Sequence, residues 1–72
     1  MAADKAAKIE VAAGGRQLDC RVIDLSLGGA CLECENPCRT PDRFNVVLDA
    51  YYTASCRVMW RDQNRVGVAF LH

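Results

Sequence analysis

The chain has 72 residues, 51% of them apolar and 25% charged, with nine basic side chains balanced by nine acidic ones. That length allows one small domain, the apolar share excludes a disordered chain, and the charge balance excludes a general basic field for DNA or RNA. A domain of this size buries only about 60% of its unfolded surface, so its core is modest and a ligand or partner adds materially to its stability.

Residues 1–7, "MAADKAA", are too few to hold a helix alone and are expected to form a flexible tail, leaving a single domain over residues 8–72. No stretch has the apolar core of a signal peptide or the length of a membrane span. A cytoplasmic protein without membrane insertion is therefore expected. "KIEV" alternates Ile9 and Val11 against Lys8 and Glu10, a short strand, and Gly14 and Gly15 suit the hairpin turn after it. "QLDCRVIDL" sets Leu18, Cys20 and Val22 against Asp19 and Arg21 as a half-buried strand. "SLGG" interrupts it, and "GACLECE" resumes with Ala30, Leu32 and Cys34 on one face.

"NPCRTPD" holds both prolines and reads as a loop. "RFNVVLDA" places Phe44, Val46 and Leu48 on one side. "SCRVMWR" places Cys56, Val58 and Trp60 inward and Arg57, Met59 and Arg61 outward on a shared face. After the turn "DQN", "RVGVAFL" closes with Val66, Val68 and Phe70. Of the adjacent Tyr51 and Tyr52, one is expected to pack and the other to be exposed. Six short strands with no helical period predict an all-β fold, a small six-stranded antiparallel barrel that removes its edges by closing, with a sandwich as the alternative.

Five cysteines include three within "CLECENPC". Cys31 and Cys34 lie on opposite faces of one extended strand and about 10 Å apart along it, too far to share an ion or form a bond. His72, the only histidine, is the last residue, so no metal site is expected. Cys20, Cys34 and Cys56 read as small core hydrophobes, and Cys31 and Cys38 as the exposed thiols. No nucleophile has an assignable base, so an enzyme is not expected.

The unusual local feature is "RVIDLSLGGACLE". Asp24 can accept the N–H groups of a guanine edge, Ser26 can donate to a phosphate oxygen, and Gly28 and Gly29 let a ligand approach the backbone. The plainer reading is a turn in which aspartate and serine cap the backbone.

This segment resembles the D/N-x-S-x-x-G signature of the PilZ domain at Asp24, Ser26 and Gly29. "CRVMWRDQNRVGVAFLH" is similar to that family's closing hairpin, and the likeness runs from about residue 8 to 71. The resemblance implies a six-stranded barrel acting as a non-catalytic bacterial receptor for cyclic di-GMP that regulates a protein partner. It also implies two binding elements, this turn and an R-x-x-x-R segment before the first strand.

Nothing before Ile9 is arginine; Lys5 and Lys8, three apart, stand in that place as candidate ligand-binding residues. Lysine lacks the planar bidentate fork, and losing one such desolvated contact costs about 2–5 kcal/mol. Arg16, Arg57, Arg61 or Arg65 could compensate, although a solvated strand surface is their simpler reading. The alternative function is a degenerate module of the same fold that binds protein and no nucleotide.

Overall fold

A computed structural model describes residues 2–11, 15–35 and 40–71. Six strands run in order: β1 (Ala2–Glu10), β2 (Gln17–Leu25), β3 (Gly29–Glu33), β4 (Arg43–Asp49), β5 (Tyr52–Arg61) and β6 (Arg65–Phe70). They form a closed, all-antiparallel barrel in the order β1-β2-β3-β6-β5-β4. The fold is the expected barrel, and closure removes the sandwich. Alternation along the chain could not show which strands close it. β1 joins β4 through Lys8↔Val47, Ile9↔Val46 and Glu10↔Asn45. β3 pairs with β6, so the chain crosses to the far side of the barrel between β3 and β4.

The interior is built by the alternating positions. Ile9, Val22, Leu32, Val46, Cys56 and Val66 are fully buried, with Cys20, Cys34, Phe44 and Val68 around them. Each large aliphatic side chain removed from water contributes about 1.5–3 kcal/mol, so this single cluster holds the wall in register. Cys20, Cys34 and Cys56 are buried as expected, and Cys31 lies half-exposed on the outer face. Cys38 and the hairpin residue Gly14 lie outside the described residues. The β1–β2 turn is closed by the Val11 N–H donating to the Arg16 carbonyl at 3.0 Å.

Three features depart from simple alternation, one of them a register shift on β4 between Val47 and Asp49 next to the β4–β5 turn. Residues 2–7 extend β1, where the sequence marks a strand only from Lys8: Lys5 pairs with Val22, Ala6 with Arg21 and Ala7 with Cys20. Alanine is depleted in strands and sends no strand signal, but its small side chain fits the crowded seam, and Ala7 is buried. Asp4, with φ 88°, marks the register shift between Ala2 and Lys5 and takes the guanidinium of Arg21. The third departure is a pair of bulges, one between Val22 and Asp24 and one between Val58 and Trp60. Each inserts one residue, Ile23 or Met59, and so inverts the facing of its successors on the strand.

Candidate functional site: an outer groove between Asp24 and Trp60

The two bulges act on the same face. Even-numbered positions of β2 point inward as far as Val22; after Ile23, Asp24 turns outward and pairs with Cys31. On β5, Cys56 and Val58 face inward; after Met59, Trp60 turns outward and pairs with Gly67. Cys31 in turn pairs with Gly67. One transverse row therefore runs Asp24–Cys31–Gly67–Trp60 over four neighbouring strands, about 14 Å end to end at the usual strand spacing.

Trp60 was expected in the core and is not there: it is 49% exposed. The bulge at Met59 is the reason. A Cβ built on Gly67 would overlap the indole Nε1 and Cε2, so the pyrrole edge of Trp60 rests where a side chain would otherwise stand. The signal that could have located it is Gly67 itself, because a glycine inside a strand marks a close approach.

The row opens into a groove of about 310 Å³ lined by Asp24, Ser26, Gly29, Cys31, Met59 and Trp60 among others. That is the lower end of the range for ligand clefts, about 300–1,000 Å³. Its chemistry is simple: one aromatic face, one carboxylate, one hydroxyl and a thiol in the floor.

The turn at the head of the groove is closed internally. The Ser26 N–H donates to the Gly29 carbonyl at 2.9 Å, and the Ser26 hydroxyl donates to the same oxygen at 3.2 Å. The Leu25 N–H donates to Asp24 Oδ1 at 2.9 Å. The capping role of these residues is thus present in the fold, and Ser26 Oγ still has its lone pairs to offer as an acceptor. Gly29 is required by packing, since a Cβ there would overlap the Val68 carbonyl oxygen across the β3–β6 ladder. Gly28 has nothing within 4 Å of where its Cβ would be; its own carbonyl accepts the Phe70 N–H at 2.8 Å.

The lysines are elsewhere and are engaged. Lys8 forms an ion pair with Asp19, its direct cross-strand neighbour. Lys5 lies 3.7 Å from Asp49 and lines a separate cavity of about 620 Å³ at the end of the barrel, whose wall Ser26 shares. Neither lysine lines the Asp24–Trp60 groove. Arg57 and Arg61 do not share a face: Arg57 pairs with outward Ala69, whereas Arg61, past the bulge, pairs with inward Val66 and donates to the Thr40 carbonyl at 2.9 Å. Tyr51 and Tyr52 are both exposed, because they flank the β4–β5 turn and neither faces the core. Among the described residues, no group of three His, Cys, Asp or Glu side chains could hold a metal ion.

The described residues thus form a closed six-stranded antiparallel barrel with a D-x-S-x-x-G turn at the head of an outer groove. The family model for the PilZ domain matches residues 3–72, and the chain belongs to that non-catalytic regulatory family, whose fold is known for binding cyclic di-GMP. No curated protein and no solved structure matches the chain. Among the described residues no helix is long and apolar enough to cross a membrane.

Proposed function

We propose that this domain is a non-catalytic cyclic di-GMP receptor of a bacterial cytoplasm, with one guanine seated between Asp24 and Trp60. The observation that carries the reading is the pair of bulges, which brings a carboxylate and an indole out onto one groove at the signature turn. A guanine edge offers N–H donors to Asp24, and its face stacks on Trp60, a contact worth about 1–3 kcal/mol per base. Ser26 Oγ and Cys31 border the same space. Ligand occupancy is read out by a protein partner, because nothing in the site performs chemistry.

Calorimetry with cyclic di-GMP tests this. Binding tighter than about 10 μM corresponds to about 7 kcal/mol. Asp24→Ala and Trp60→Leu should each weaken it at least about tenfold, a loss of about 1.4 kcal/mol.

The second reading, a protein-binding module of the same fold, is favoured by one observation: Lys5 and Lys8 are neutralised by Asp49 and Asp19 and line no part of the groove. No heat with ligand at about 1 mM, equivalent to about 4 kcal/mol, would leave that reading in place.

A further inference from the structure

The described cations on the strands are nearly all matched to carboxylates. Lys5 pairs with Asp49, Lys8 with Asp19, Arg21 with Asp4, Arg61 with Asp42 and Arg65 with Glu33. Arg43 and Arg57 break the pattern. They are direct cross-strand partners on β4 and β5, both exposed, and neither guanidinium has an ion-pair or hydrogen-bond partner among the described residues. Like charges placed opposite each other on adjacent strands are destabilising, so this arrangement is one that an anion would relieve.

Their place on the barrel gives the anion a context. Arg57 pairs with Ala69, and Ala69 pairs with Gly29, the last residue of the signature turn. A second row, Gly29–Ala69–Arg57–Arg43, therefore runs beside the Asp24–Cys31–Gly67–Trp60 row on the same outer face. On β6 the two rows are separated by the step from Gly67 to Ala69, about 6.6 Å at the rise of a strand. That is a spacing on the scale of a nucleotide's base and its phosphate. The guanidinium fork binds a phosphate through paired N–H donors, which neither lysine can do.

We propose that Arg43 and Arg57 form the phosphate clamp of this domain, holding a phosphodiester of the ligand whose base occupies the Asp24–Trp60 groove. The clamp rests on the receptor reading and deepens it. It supplies from β4 and β5 two guanidinium groups, where Lys5 and Lys8 ahead of Ile9 are already paired with Asp49 and Asp19. It also makes recognition bipartite: base on one row, phosphate on the next.

The test uses nuclear magnetic resonance of the arginine Nε–Hε groups and the Trp60 indole N–H, with inorganic pyrophosphate and cyclic di-GMP as separate probes, alongside calorimetry on variants. Pyrophosphate should shift Arg43 and Arg57 and leave Arg21, Arg61, Arg65 and Trp60 in place. Cyclic di-GMP should shift Arg57 and Trp60 together. Arg57→Gln should weaken cyclic di-GMP binding at least tenfold and Arg43→Gln several-fold. Arg57→Lys should recover part of the loss, and Arg21→Gln should have no effect.

Thermal stability separates a lost contact from a lost fold, because removing one of two facing like charges leaves the melting temperature unchanged or raised. Binding of cyclic di-GMP that survives Arg57→Gln within twofold overturns the clamp and leaves the receptor reading standing. A response of the two arginines to pyrophosphate with none to cyclic di-GMP keeps the anion site and removes the proposed ligand. Silence toward both probes overturns both.

Discussion

The indole of Trp60 occupies the space that a side chain at position 67 would fill, so Gly67 and Trp60 act as one unit: a notch and the ring laid in it. Gly67→Ala would force the ring out or shift the β5–β6 ladder. The expected cost is about 1–3 kcal/mol, the range for overpacking. Trp60 is the sole tryptophan, so its emission reports the change directly. Stronger acrylamide quenching with a red-shifted maximum is expected in Gly67→Ala, and an unchanged spectrum would contradict the packing described.

The two glycines of the turn should behave differently. Gly29→Ala places a Cβ against the Val68 carbonyl, a backbone atom that cannot swing aside, and should cost more than about 2 kcal/mol or prevent folding. Gly28→Ala meets open space at a φ outside the left-handed region and should stay within about 0.5 kcal/mol of the parent. Chemical denaturation of the two variants checks the contrast.

The buried thiols give the fold an alkaline limit. Burial first, then Cys34 and Asp19, pushes the Cys20 thiol from 9.0 up to about 12, and burial pushes Cys56 up to about 11. In the unfolded chain both ionise near their ordinary value, so the unfolded state loses protons first as pH rises. Their contribution to stability is complete below pH 9.0 and is lost as pH climbs through the folded values. Melting temperature should fall across that window, and Cys20→Ala should flatten the fall.

Thiol labelling should map the two faces of the wall. In a Cys38→Ser background Cys31 should react readily in the native state, while Cys20, Cys34 and Cys56 react only on unfolding. Cyclic di-GMP at saturation should slow labelling of Cys31, which forms part of the groove floor. Equal rates with and without ligand would place the ligand elsewhere.

The core is legible in the sequence because apolar side chains recur at every second position, Cys20 and Val22 on β2, Phe44 and Val46 on β4, Val66 and Val68 on β6, and a one-residue slip would turn that set to water. The signature turn is legible for a similar reason: Asp24, Ser26 and Gly29 are recognisable as a pattern at fixed spacing. What alternation cannot carry is a change of phase. Ile23 and Met59 look like ordinary strand residues, yet each is the inserted member of a bulge, and each moves its successor to the opposite face. A count along β5 that is sound only up to Val58 therefore sends Trp60 inward. The first half of β1 escapes for a different reason: Ala2, Ala6 and Ala7 have no preference that reads as strand, and their place is fixed by pairing with β2. The seam between β1 and β4 joins residues more than thirty apart in the chain and has no local signature.

That seam decides where the cylinder unbuttons. β1 and β4 are held only around Lys8–Glu10 and Asn45–Val47, whereas the β3–β6 ladder runs the length of β3. In the circular order of strands the two junctions are diametrically opposed. Amide hydrogens along that shorter ladder are therefore expected to exchange first, with those behind the tryptophan and aspartate protected longer.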